Sequence, residues 1–94
     1  MYSLSEAAAK DIEEILQRSL ADFGVEQTQI YYDSLRQCLA LLGDNPAMGR
    51  AAEDIRPGYR RFPHESHVVF YRSDKDAVVI VRIVHKRMEP TRIE

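Results

Sequence analysis

The side chains with chemistry in them crowd into one stretch. "IRPGYRRFPHESHVVFYR", residues 55 to 72, holds Arg56, Arg60, Arg61 and Arg72 together with His64 and His67. Guanidinium groups at this density suit phosphates or carboxylates, because their planar fork of N–H donors matches either oxyanion. The stretch could therefore grip nucleic acid, neutralise an acidic partner protein, or form the wet face of a β-sheet. The remaining histidine, His85, stands in "VHKRMEP" beside Lys86, Arg87, Met88 and Glu89, where an imidazole could move a proton. His64 and His67 flank a turn with no further ligand at metal-binding spacing, so they read as surface residues, and no metal or other cofactor is expected. Cys38, the only cysteine, falls at an apolar position of a helical pattern and reads as a small core residue rather than a catalytic thiol.

The elements that position these groups belong to one domain, residues 1–94, since a chain of 94 residues is too short for two separate cores. With 45% hydrophobic and 30% charged residues it has the composition of a folded chain. No apolar run is long enough to span a bilayer, and "MYSLSEAAAKDIEE" turns acidic too early for a signal peptide, so a cytoplasmic location is expected. Charge is divided unevenly. Residues 1–54 carry four Lys/Arg against ten Asp/Glu, a net of −6, and residues 55–94 carry nine against five, a net of +4. That asymmetry signals pairing between the halves, an acidic partner, or both. A sequence pI of about 5.9 and the lack of a Gly-rich or RNP-like motif argue against direct, sequence-specific nucleic-acid binding by this chain alone.

Periodicity places the motifs. "YSL" at 2–4 is β-compatible, and Ser5 before "EAA" is a helix N-cap. Ala9, Ile12, Leu16, Leu20 and Phe23 form one apolar stripe at spacings of three and four, and Gly24 stands where a left-handed C-terminal cap belongs. Tyr31, Leu35, Cys38, Leu39 and Leu42 form a second stripe, ended by Gly43 and "DNP". So short a connection predicts two antiparallel helices, a helical hairpin. Beyond a loop with Pro46, Gly49, Pro57 and Gly58, "YRRF", "HVVFYR" and "AVVIVRIV" read as three antiparallel strands, the last apolar on both faces except for Arg82 and so central. The expected fold class is α+β, in the order β-α-α-β-β-β, with the hairpin on one side of an antiparallel sheet. Leu16, Leu35, Leu39, Phe70 and Ile80 are the expected core between them.

This order and its punctuation resemble the ParE toxins of the ParE/RelE superfamily of bacterial type II toxin-antitoxin systems. The carriers are "YSLSEAAAKDIEEI", "FG" leading into "QTQIYYDSL", "NPAMGR", "IRPGYRRFPHESHVVFYR" and "VVIVRIVHKRMEP", which together span nearly the whole chain. The resemblance implies a toxin neutralised by a ParD-like antitoxin in a heteromeric complex, with DNA gyrase as its target. The RelE branch instead cuts messenger RNA on the ribosome, and an inactive antitoxin-binding module is the third reading.

Chemistry separates these readings. Metal-free RNA cleavage needs a base, cations and an acid within hydrogen-bond reach of the scissile phosphate. His85, close to where several RelE-like enzymes carry a His or Tyr, is the candidate acid, with Arg61, Arg72 and Arg82 as cations, but no tyrosine follows Tyr71. The residues thus lean away from catalysis, and what the resemblance to the ParE branch then implies is a gyrase inhibitor without catalysis of its own. Arg82, His85, Lys86, Arg87, Met88 and Glu89 are its expected target contacts, and Arg56, Arg60 and Arg61 its expected antitoxin contacts.

Overall fold

The computed structural model describes residues 1–88, so Glu89 lies outside the described residues. Strand β1 (Tyr2–Leu4) leads into helix α1 (Glu6–Asp44), a 3-10 turn (Pro46–Met48) and the two-residue strand β2 (Arg50–Ala51). Strands β3 (Tyr59–His64), β4 (His67–Asp74) and β5 (Ala77–His85) follow, and a second 3-10 turn spans Lys86–Met88. They form one five-stranded sheet in the order β1-β5-β4-β3-β2.

The helical region, Glu6–Asp44, runs continuously except for one break at Gly24, so its two helical arms follow each other with no linker of several residues between them. Its only non-helical residue is Gly24, at φ 87° and ψ 178°, a conformation that glycine reaches without the penalty of a Cβ. A straight helix of 39 residues would run to about 58 Å at the usual rise, yet the molecule's longest dimension is 37 Å. The bend at Gly24 is correspondingly sharp. Ser19 and Thr28, nine positions apart, hydrogen-bond side chain to side chain at 2.7 Å across it. Ser5 caps the start as expected, its Oγ accepting from the Ala8 N–H at 3.0 Å.

The sheet also departs from an all-antiparallel plan. β1 pairs parallel with β5, Tyr2 to Val78 through Leu4 to Ile80, and β2, which begins on the last residue of "NPAMGR", pairs antiparallel with Arg60 and Arg61. A two-residue strand has no periodicity to detect. β3, β4 and β5 form the expected antiparallel meander. β5 lies inside the sheet, as its apolar faces imply. Between β4 and β5 the register shifts, with Phe70 opposite Arg82 but Tyr71 opposite Ile80, which leaves Val81 as an extra residue. This bulge resets the alternation. Val78, Ile80 and Ile83 are thereby buried on the helix side, whereas strict alternation would have put Arg82 there.

Two clusters hold the fold. The larger joins the helix to the sheet through Ala8, Leu35, Cys38, Leu39, Leu42, Val69, Tyr71, Val78, Ile80 and Ile83. Leu35, Leu39 and Ile80 are core as expected, but Leu16 is only partly buried, and Leu20 and Phe23 are exposed. At the start of α1 it is Ala8, and not Ala9, that is buried. The second cluster, Ala52, Ile55, Val68 and Phe70, lies on the other face, where the loop between β2 and β3 folds over the sheet. Phe70 therefore packs under a loop and not under the helix. Tyr71 locks the preceding turn: its hydroxyl donates to the Pro46 carbonyl and accepts from the Gly49 N–H, both at 2.7 Å. A Cβ at Gly49 would collide with that hydroxyl and with the Arg61 carbonyl, which accounts for the glycine of "NPAMGR".

Two substitutions test this packing. Leu39→Ala should cost about 2–5 kcal/mol by leaving a cavity at the centre of the larger cluster. Tyr71→Phe should cost about 1–3 kcal/mol, because it strands a buried N–H and a carbonyl. Urea denaturation reads both, and a Leu39→Ala midpoint equal to wild type would refute the second stripe as the buried face.

Candidate functional site

A groove of about 1130 Å³ opens where the first part of α1, the bend and the end of β5 converge. Ile15, Phe23, Ile83, Val84 and Met88 give it an apolar lining, and Asp11, Glu14, Arg18, Asp22 and Arg82 ring it with charge. Tyr31, His67 and His85 form the wall at the sheet's end. Phe23 and Met88 are 70% and 75% exposed, so large apolar side chains stand in water at its rim. An apolar surface rimmed with charge is the usual form of a protein-binding site.

The backbone of β5 explains the groove's position. β1 accompanies β5 only as far as Ile80, and beyond it the strand's polar groups need other partners. Ser5 and Asp11 supply them. The Ser5 N–H donates to the Ile80 carbonyl at 3.0 Å, and the Ser5 hydroxyl donates to the Val81 carbonyl at 2.8 Å. Asp11 accepts the Ile83 N–H at 2.9 Å and clasps Arg82 in two parallel bonds, Nε at 2.7 Å and Nη2 at 3.0 Å. The bond to Asp11 raises the Arg82 pKa above its already high ordinary value. Arg82, expected as a target contact, thus spends its guanidinium on holding α1 to β5.

The other expected target contacts lie together. His85 ends β5 and is exposed; its ring meets His67 edge-on, with centroids 5.6 Å apart, and its Nδ1 accepts the Arg87 N–H at 3.1 Å. Lys86, Arg87 and Met88 follow in one exposed turn, anchored by a 2.9 Å bond from the Lys86 N–H to the Ser66 carbonyl.

The three expected antitoxin contacts sit elsewhere, at the β2-β3 corner. Arg61 is bound by both oxygens of Asp54, at 2.8 and 2.7 Å, and its guanidinium carbon lies 5.4 Å from the Phe70 ring centroid. Its side chain is only 14% exposed. The bond from Arg61 also lowers the Asp54 pKa. Arg60 donates to the Gly49 carbonyl at 2.7 Å. Arg56 is exposed in the loop before β3. Much of the opening positive charge therefore serves the fold.

His64 and His67 differ most from expectation. They are partly buried, not surface residues, and each bonds to the helix. Tyr31 Oη lies 2.6 Å from His67 Nδ1, and Ser34 Oγ lies 3.0 Å from His64 Nε2. Their spacing within the strands held no signal for this, because the partners come from α1. Burial pushes the Tyr31 phenol up to about 12 and holds the His67 pKa below its ordinary value, with the His85 and His64 rings adding to the latter effect. Cys38 is buried in the larger cluster and its thiol pKa is raised by that burial, the state of an inert packing residue. Among the described residues no group of three or more His, Cys, Asp or Glu could hold a metal ion.

Against known proteins, residues 2–90 match the family described as "ParE toxin of type II toxin-antitoxin system, parDE". The chain belongs to the ParE toxin family. It is 38% identical to Toxin ParE1 of Mycobacterium tuberculosis over 92 residues, covering 97% of this chain and 94% of that protein. It is 39% identical to Toxin ParE1 of Caulobacter vibrioides over 87 residues, covering 93% and 90%. A solved chain from the structure "Chromosomal ParDE TA system from P. aeruginosa" shares the fold, with a TM-score of 0.77 at 22% identity over 89% of this chain and 92% of that one.

In this ParE-family chain the Asp11 clasp should carry measurable stability. Asp11→Ala strands the Ile83 N–H and the Arg82 guanidinium, for an expected loss of about 1–3 kcal/mol. Combining it with Arg82→Met should recover part of that loss. A double-mutant cycle by chemical denaturation reads the coupling, and strictly additive effects would rule the clasp out.

Proposed function

We propose that this chain inhibits DNA gyrase by occupying a surface of it, without bond-making of its own, and that a ParD-like antitoxin holds it in check in the cytoplasm. The observation that carries this reading is the joint placement of the apolar groove and the exposed His85–Met88 turn. β5 fixes where that turn begins, while Lys86, Arg87 and Met88 remain free to meet a large partner. Met88 supplies an adaptable apolar contact and the two cations supply charge. Membership of a toxin-antitoxin family supplies the class of partner, and the groove offers an antitoxin an apolar bed to fold against. Arg56, the exposed member of the corner trio, is suited to acidic groups at the end of the antitoxin's path; Arg60 and Arg61 shape that corner through their internal bonds.

The ribonuclease reading draws on the same groove, where His67, His85 and Arg82 share a wall. It requires a cation held firmly enough to receive charge from a phosphate; Arg82, the cation on β5 itself, is already matched by Asp11, while Lys86 and Arg87 stand on the exposed turn beyond the strand. The balance therefore favours inhibition by contact.

Incubating the purified chain with gyrase, ATP and supercoiled plasmid should accumulate gyrase-linked DNA breaks, and translated messages in a ribosome assay should stay intact. Deleting residues 86–94 should abolish the breaks, and His85→Gln should weaken activity only modestly. Cleaved messages from the wild type, lost by several orders of magnitude in His85→Gln, would make His85 a general acid and the protein a ribonuclease.

A further inference from the structure

All three histidines of the chain stand side by side across one end of the sheet. His64 on β3 pairs with His67 on β4, and His67 pairs with His85 on β5. The row is also where the second arm of α1, after Gly24, meets that end. Tyr31 and Ser34, three positions apart and so on one side of the helix, reach His67 and His64 respectively. Tyr31 also lies near both rings, with centroids 5.8 Å from His64 and 5.6 Å from His67. Because Tyr31, His67 and His85 line the groove, whatever loosens this seam moves the groove's wall.

We propose that the histidine row is an acid-operated latch, which fastens the second arm of α1 to the end of the sheet at neutral pH and releases it on mild acidification. The inference goes beyond the toxin reading and does not depend on it.

The latch follows from the donors and acceptors at the seam. A neutral His67 with its proton on Nε2 accepts at Nδ1 from the Tyr31 hydroxyl. A protonated ring donates from both nitrogens, so the 2.6 Å bond can survive only if the hydroxyl turns round and accepts. Protonation also places a cation in a partly buried site beside two more imidazoles. The charged groups around it do little to help. Glu65, in the turn between β3 and β4, is the one group that favours the protonated form, and its carboxylate is already engaged, accepting from Ser34 at 3.2 Å and lying 3.5 Å from His64 Nε2. Beyond His85 come the cations Lys86 and Arg87. Across the groove, Asp11 is committed to Arg82, and Glu14, Arg18 and Asp22 line the far wall. Tyr31 keeps its proton throughout, its pKa pushed up to about 12, chiefly by burial.

The sign follows from linkage. The His67 pKa is lower in the folded protein than its ordinary 6.5, so an opened or unfolded state takes up the proton first as pH falls. The closed seam is thus fully stable above about 6.5. It loses stability as pH drops from there towards the folded value, and the loss then levels off.

The full chain tests this directly. The equilibrium constant for opening should rise by up to about tenfold per pH unit as pH falls below about 6.5, read by amide hydrogen exchange corrected for intrinsic rates. The rise should be concentrated in the helix amides from Tyr31 to Leu35, while those of β5 next to β1 stay protected. His67→Gln, which keeps a polar side chain at the seam but cannot titrate, should flatten the dependence. Imidazole nitrogen shifts of the wild type give a second readout that needs no variant: His67 should remain the neutral Nε2–H tautomer at pH values where an ordinary histidine is already protonated. A His67 that titrates at or above 6.5, or amides of the second arm whose protection ignores pH, would overturn the latch.

Discussion

The structure depends on how β5 is completed past Ile80. A strand inside a sheet needs partners on both edges, and β1 supplies only three residues of one. Extending β1 would have closed the edge with backbone. Instead the chain turns into α1, and two of its side chains, Ser5 and Asp11, take over the role of the missing strand. Because Ser5 is at once the helix cap and the β5 partner, the direction in which α1 leaves the sheet is fixed at its first residue. Asp11, less than two turns later, pins the helix again at Arg82 and Ile83. The bulge at Val81 belongs to the same solution, since it keeps Ile83 in the core while Arg82 meets Asp11. A groove remains beside these pins because α1 is held to β5 at that point and bends away at Gly24.

The uneven charge of the two halves has a matching explanation. Asp11 and Asp54 come from the acidic half, and Arg82 and Arg61 from the basic one; both pairs are bidentate. Charge separation in the sequence is thus partly a record of long-range pairing in the fold. The exposed positive charge is more localised than the sequence suggests: Arg56 at one corner, and Lys86 and Arg87 beyond β5.

Features governed by local rules were legible in the sequence. The Ser5 cap, the glycine at the bend, the stripe of Leu35, Cys38, Leu39 and Leu42, and the β3-β4-β5 meander all follow from short-range sterics and periodicity. Features governed by contacts between distant segments were not. Val81 became a bulge because Ser5 and Asp11 arrive beside it, and nothing in "VVIVRIV" marks that. Phe70 lies under Ile55 because the β2-β3 loop returns over the sheet, whereas a β4 strand apolar on both sides says only that something covers each face. The histidine seam was illegible for the same reason: His64, His67 and His85 align only once two turns set the register, and Tyr31 and Ser34 reach them from another element. Leu20 and Phe23 show the reverse case, an apolar stripe that continues beyond the core it faces, and that surplus is the surface a partner can use.

The central functional claim is that the groove and the His85–Met88 turn form the face that meets gyrase. Hydrogen-deuterium exchange of the full chain, free and in complex with gyrase, locates that face without relying on any substitution. The account predicts slowed exchange at Lys86–Met88 and in the α1 segments flanking Gly24, with the loop around Arg56 unchanged. Protection confined to the β2-β3 corner, or no protection anywhere at saturating gyrase, would contradict it.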